Sequence, residues 1–313
     1  MIEIKHLKKQ FGELVAVDDI SFSVTPGEIL GFLGPNGAGK STTMKVITGF
    51  LPPSAGSVTI YGSSIETDTL AAQRHIGYLP EGAPCYEEMT PRTFLKFIAE
   101  VRGYTGDERL SRVQDVAQTL SLQAVLDQRI ETLSKGFKRR VGLAQAIIHD
   151  PSVLILDEPT DGLDPNQKHQ VREMIRGLSK DKIVIISTHI LEEVTAVCSR
   201  AVIISKGKIV ADCSPEELAA KSKYHHAITL QASDPADHDA IASYMESLDG
   251  VSAVQREEEG LLLIPSAGEV NLMPLVLSGI REKGWQITSL FQQKGRLDEV
   301  FRDITVEVDN VSE

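Results

Sequence analysis

No apolar run in the 313-residue sequence approaches the roughly 18–20 residues needed to cross a bilayer, so no membrane span is expected. Cysteine is scarce. Cys85, Cys198 and Cys213 are far apart and form no CxxC pair. That excludes a disulfide framework and a cysteine metal cluster, and it suits a reducing compartment; each thiol reads as a small buried hydrophobe. Basic charge is in deficit, with Lys+Arg 32 against Asp+Glu 44 and a net charge of −12. A chain this acidic is a poor non-specific binder of nucleic acid or anionic lipid. Met1-Ile2-Glu3-Ile4-Lys5 lacks a basic segment followed by an apolar one, so no secretory signal is expected. No internal repeat is evident.

What is present is globular: 42% hydrophobic and 24% charged residues, over a length that suits two domains. The acidity is uneven. Residues 221–313 hold 8 Lys+Arg and 16 Asp+Glu, which leaves residues 1–220 only mildly acidic.

Ile2–Ile4, Ile20–Val24 and Val58–Tyr61 alternate like half-buried strands. Ile29–Leu33, Val153–Leu156, Ile183–Ser187 and Val202–Ser205 are near-continuous apolar runs, as in a parallel sheet covered on both faces. Helical stretches lie between them, for example Ser41–Gly49 and Gln167–Ser179, so the fold class is α/β. Thr90-Pro91 starts a helix whose stripe is Phe94, Phe97, Ile98 and Val101. Val113, Val116, Ala117, Leu120 and Leu122 form another stripe, so about 88–150 reads as a helical insertion.

Ser214-Pro215-Glu216-Glu217 opens a further helix. Beyond it the order is strand 226–230, helix 238–248, strand 251–255, strand 261–264, helix 270–283 and strand 286–291. That β-α-β-β-α-β order suggests a small α+β, ferredoxin-like unit over 221–313, with 257–260 as its hairpin turn and Trp285 in its core at the start of a strand. Leu297, Val300, Phe301 and Ile304 share one helical face, read as a helix closing the unit.

Two patterns carry chemistry. Gly34-Pro35-Asn36-Gly37-Ala38-Gly39-Lys40-Ser41-Thr42 matches G-x-x-x-x-G-K-[ST] between an apolar strand and a helix. Glycines let successive N–H groups point at phosphate oxygens, and the helix N-terminus adds positive charge. Lys40 is expected to reach the β- and γ-phosphates, and Ser41 to hold Mg²⁺. Alone, the loop says only nucleoside triphosphate. In the second pattern, Val153–Leu156 delivers Asp157 and Glu158 to the C-terminal edge of a parallel sheet. Asp157 is expected to hold Mg²⁺ through water. Glu158, pointing the other way along the strand, would polarise the attacking water.

Further segments follow in an order that resembles the ATP-binding-cassette (ABC) nucleotide-binding subunits over residues 1–220. Leu133-Ser134-Lys135-Gly136-Phe137 resembles the signature motif LSGGQ, and Thr160–Asp164 the D-loop. His189 resembles the switch histidine. Gly77-Tyr78-Leu79-Pro80-Glu81 resembles the Q-loop, and Phe11 sits where the family stacks an aromatic on adenine. The resemblance implies a P-loop NTPase core with an antiparallel β subdomain, an ATPase that uses ATP and Mg²⁺, and γ-phosphate contacts from His189. It further implies Ser134 and Gly136 contacting the γ-phosphate of an opposite subunit, and Glu81 beside the metal. Glu81 replaces the family's glutamine, and Lys135 and Phe137 replace Gly and Gln, which leaves the details of signature docking open. Hairpin packing is the lesser reading of Phe11, and His189 standing alone would read as an ordinary histidine.

With one of each motif, two chains, identical or related, would make two composite sites. A separate membrane permease is implied, met through Gly82–Arg92 with Tyr86, Met89 and Thr90 as candidates, and an ordinary exposed loop is the other reading. The chain would then be peripheral on the cytoplasmic face. Glu81, the Lys135/Phe137 signature and the tail Leu297–Thr305 resemble multidrug, gliding-motility and nitrous-oxide-accessory exporter ATPases. A soluble ABC ATPase of translation or DNA repair is the alternative; those carry tandem cassettes, coiled coils or zinc-finger insertions. A cassette that binds ATP without hydrolysing it is disfavoured by Glu158 and His189. The role of the C-terminal unit stays open.

Overall fold

The computed structural model describes residues 1–82, 85–257, 260–266 and 271–310, with the side chains of 306–310 set aside. It divides into two compact units, Met1–Cys213 and Ser214–Glu313.

In the first unit β1 (Ile2–Phe11) and β2 (Leu14–Val24) form a hairpin, followed by β3 (Ile29–Leu33) and helix α1 (Lys40–Ile47). Next come β4 (Ala55–Ile60), β5 (Ser63–Ser64), α2 (Thr69–Arg74) and β6 (Ile76–Leu79). Three helices follow, α3 (Pro91–Val101), α4 (Gly106–Thr119) and α5 (Lys135–Ile147). The unit ends with β7 (Val153–Asp157), α6 (Pro165–Leu178), β8 (Ile183–Thr188), α7 (Leu191–Val197), β9 (Arg200–Ser205) and β10 (Lys208–Cys213). The strands make an antiparallel four-stranded sheet, β2-β1-β4-β5, and a six-stranded sheet, β10-β9-β3-β8-β7-β6. All neighbours in the six-stranded sheet are parallel except the β9–β10 hairpin.

The apolar runs are explained by two cores that share this sheet. Successive side chains of a strand leave on opposite faces. Leu30, Phe32, Val153, Ile155, Ile183 and Ile185 face a core completed by β1, β2, β4 and α1. Ile29, Leu154, Leu156, Val184 and Ile186 face a second core completed by α3, α4, α5 and α6. A strand serving both cores has no polar face, so period-two alternation disappears.

Several expected elements shift. β1 and β2 run well beyond Ile2–Ile4 and Ile20–Val24, because ladder hydrogen bonds carry them through exposed residues without apolar alternation. Tyr61 lies just outside β4, at φ 48°. β6 forms within the stretch that the sequence marks only as a Q-loop. In α3, capped by Thr90 and Thr93, Phe94 is buried as expected, yet Phe97 and Val101 stay on the surface.

The second unit contains α8 (Pro215–Ala220), β11 (Ile228–Ala232), α9 (His238–Glu246) and β12 (Val251–Glu257). β13 (Gly260–Pro265), α10 (Met273–Lys283), β14 (Ile287–Gln292) and α11 (Leu297–Asn310) complete it. Its antiparallel sheet has the order β12-β13-β11-β14. Ile241 and Met245 of α9 and Val276 of α10 pack with Ile228, Leu230, Leu261 and Leu263. Gly279 lets α9 come close: a Cβ there would stand 2.3 Å from the Tyr244 ring. Trp285 does not begin a strand. It precedes β14, half-buried and edge-on to Tyr244. Glu258, Glu259 and Val270, within the expected turn and helix, lie outside the described residues.

Candidate functional site

The C-terminal ends of β3, β7 and β8 stand side by side, with Leu33 paired to Thr188 and Asp157 to Ser187. Each strand is held in register by its two buried faces, so the residues that follow it start from fixed points.

After β3, Gly34 to Thr42 turns into α1. Pro35, Asn36 and Gly37 are exposed, whereas Ala38, Gly39 and Lys40 are buried. Two glycines are required by what surrounds them. A Cβ on Gly34 would meet Ile204 O at 2.4 Å, and Gly39, at φ 108°, would press one into Ala16 O at 2.4 Å. Lys40 Nζ donates to Gly34 O at 2.8 Å and to Pro35 O at 3.2 Å. Burial lowers its pKa; the charges of Glu158, Asp157 and Glu81 oppose that shift. The loop therefore presents a cation backed by the first turn of a helix, an arrangement suited to phosphate.

At the end of β7, Asp157 is buried. Its Oδ1 lies 3.4 Å from Ser41 Oγ and accepts from Ser187 Oγ. The expected strand geometry fails at Glu158: β7 ends at Asp157, and Glu158 adopts φ 49°. Its N–H turns to β8, donating to Ser187 O at 3.1 Å and Ser187 Oγ at 3.3 Å. That left-handed turn brings Oε1 to 4.0 Å from Lys40 Nζ and 3.0 Å from His189 Nδ1. Lys40, Ser41, Asp157, Glu158 and His189 are thus brought together.

The other expected residues stand apart from this cluster. Phe11 is 45% exposed at the end of β1, with Lys9 Nζ 4.9 Å from its ring centroid. Glu81 is exposed, and its charge acts on Lys40, Tyr78 and Arg139. Ser134 caps α5, accepting from Phe137 N–H at 3.4 Å. Gly136 is buried against α6, where a Cβ would stand 2.9 Å from the Gln167 side chain. In the segment Gly82–Arg92, Tyr86 is exposed, Met89 packs on the helical core and the Thr90 hydroxyl is committed to its cap; Ala83 and Pro84 lie outside the described residues.

Four further buried polar residues join the cluster, none of which has a role assigned from sequence. Ser187 bridges Asp157 and Glu158. Thr160 donates to Glu193, and Thr188 donates to the other oxygen of the same carboxylate. Burial raises the pKa of Glu193, opposed by Thr188 and by the charges of Lys168 and Arg172. A serine closing an apolar strand and an acid four residues after a histidine give only weak sequence signals.

Fold and cluster together define a P-loop nucleoside-triphosphatase with an antiparallel β subdomain. The ABC transporter family model matches residues 17–161. The chain is 36% identical over 247 residues to the Nod factor export ATP-binding protein I of Paraburkholderia xenovorans, covering 78% of this chain and 81% of that one. It is 32% identical over 307 residues to the linearmycin resistance ATP-binding protein LnrL of Bacillus subtilis, covering 97% and 98%. Among solved structures, an ATP-binding subunit of an ABC transporter matches with a TM-score of 0.64 at 30% identity, covering 71% of this chain and 92% of that one. The chain belongs to the ABC transporter family, as an ATP-binding, ATP-hydrolysing subunit.

Proposed function

We propose that the chain powers export through a separate membrane permease, by binding and hydrolysing ATP at the β3, β7 and β8 strand ends. The observation that carries this reading is Glu158 Oε1 standing between Lys40 Nζ and His189 Nδ1. The kinship with export and resistance ATPases supports the direction of transport.

The donor set fits ATP with Mg²⁺. A hydroxyl and a carboxylate 3.4 Å apart, Ser41 and Asp157, are hard oxygen ligands. Ser41 and Asp157 would hold the ion, with Glu81 contributing. Mg²⁺ would neutralise charge developing on the phosphates. Backbone N–H groups of Gly34–Thr42 and Lys40 hold the phosphates, and Phe11 offers its exposed face to the adenine. Glu158 takes a proton from the attacking water, and His189 orients that carboxylate and reaches toward the γ-phosphate. A second copy, or a related chain, supplies Ser134 and Gly136 from its α5 cap, so ATP would join two chains.

A groove of about 640 Å³ supports permease docking. Phe50 and Val101 on its rim are 73% and 68% exposed, large for unpartnered apolar side chains. Among the described residues no helix is long and apolar enough to cross a membrane. We place the chain on the cytoplasmic face, held there by the permease. The order β12-β13-β11-β14 with two covering helices supports a ferredoxin-like fold for the accessory unit. Recovery of the chain with membranes, in complex with a polytopic protein and hydrolysing ATP, is the expected result. Recovery with ribosomes or DNA instead would overturn the transporter reading.

A further inference from the structure

Glu193 lies on α7, and none of the roles above uses it. The residue is only 4% exposed. One oxygen accepts from Thr160 Oγ1, and the other accepts from Thr188 Oγ1 at 2.9 Å. Both threonines are themselves buried. The Thr188 oxygen also accepts from Ile190 N–H at 3.1 Å, which fixes that hydroxyl's hydrogen toward Glu193.

The two donors occupy telling positions. Thr160 follows Glu158 by two residues, and Thr188 immediately precedes His189. Glu158 Oε1 and His189 Nδ1 are 3.0 Å apart. The contacts therefore close a ring: from Glu158 along the chain to Thr160, across Glu193 to Thr188, then to His189 and back to Glu158. Stability alone does not call for an acid here. A buried carboxylate carries a desolvation cost that a leucine or methionine of similar size would avoid.

We infer that Glu193 is a positioning residue for ATP hydrolysis, a single carboxylate that sets the backbone carrying Glu158 against the backbone carrying His189. This rests on the proposed roles of Glu158 and His189. The carboxylate accepts both hydroxyls with no donor of its own. An amide in its place can accept only through its oxygen, so one threonine would meet an N–H₂ group. The error would pass to the Glu158–His189 pair, where displacements of about 1 Å cost about 10²-fold in rate.

The test uses the full chain and four measurements: kcat, KM for ATP, affinity for a fluorescent ATP analogue, and thermal midpoint. Glu193→Gln should lower kcat about tenfold or more through misplacement while KM and affinity stay within about twofold. Thr160→Val, which removes one arm of nearly equal volume, should lower kcat less and in the same selective way. In a Glu158→Gln background, Glu193→Gln should cost nothing further, since both act through the same carboxylate. Wild-type kcat in Glu193→Gln would overturn the inference. So would a joint fall of kcat, affinity and thermal midpoint, or a full additional loss in the Glu158→Gln background. Wild-type turnover in Glu158→Gln would instead sink the functional reading itself.

Discussion

Glu158 Oε1 and His189 Nδ1 are 3.0 Å apart, yet they follow different strands, β7 and β8, and the glutamate is buried while the histidine is exposed. The carboxylate is held from inside the fold, and the imidazole approaches it from the solvent side. A water between that pair and a phosphate would be oriented from two directions.

Replacing Glu158 by Gln keeps the shape and removes the proposed base. Turnover should fall by about 10²–10⁴-fold, the usual range for a general base. ATP affinity should be retained, because Lys40 and the loop N–H groups are untouched. Phosphate release and equilibrium nucleotide binding, measured side by side, check this.

Ser187→Ala removes the donor to Asp157 Oδ1 and one of two acceptors for Glu158 N–H, leaving Ser187 O in place. A buried carboxylate that loses a partner costs about 1–3 kcal/mol. Calorimetry should show a lowered midpoint, and turnover should fall with it. An unchanged midpoint would mean that this hydroxyl does not brace Asp157.

Phe11→Ala should raise KM for ATP about 5–150-fold if the ring stacks on the base, since such stacking amounts to about 1–3 kcal/mol. Inhibition by tripolyphosphate, which has no base, should not change. Equal weakening of both ligands would assign Phe11 to hairpin packing.

His149 gives a pH dependence far from the nucleotide. Burial, reinforced by Arg102, holds its pKa down to about 4, and its Nε2 faces Ile76 O at 2.9 Å. An unfolded histidine titrates near about 6.5 and binds the proton first on acidification. Its contribution to stability is therefore full above about pH 6.5 and is lost as pH falls from there toward about 4. Because the ring is half-buried, solvent screening brings this to roughly 1–2 kcal/mol. His149→Gln should narrow the difference between urea midpoints at pH 7.5 and pH 5; an unaltered difference would refute the assignment.

Contiguous features were legible in the sequence. Gly34–Thr42 is a local motif whose geometry depends on its own glycines, and strands such as Val153–Asp157 announce double burial through unbroken apolar residues. Long-range features were not legible. The ring through Thr160, Glu193 and Thr188 joins residues whose approach only the folded sheet decides. Glu158 reads as strand in sequence, because nothing in Leu-Asp-Glu-Pro signals the left-handed turn it adopts. The stripe on α3 has helical period, but Phe97 and Val101 remain exposed, because periodicity does not reveal where the neighbouring elements end.

The positive φ of Glu158 has an evolutionary side. Left-handed backbone is uncomfortable for a glutamate and costs on the order of 1–2 kcal/mol, whereas glycine or asparagine would accept it readily. A population of variants selected only for heat tolerance should drift at position 158 toward those residues, shedding the carboxylate as it gains stability. On the proposed role, a glutamate at this position gives up stability of the fold for the sake of turnover.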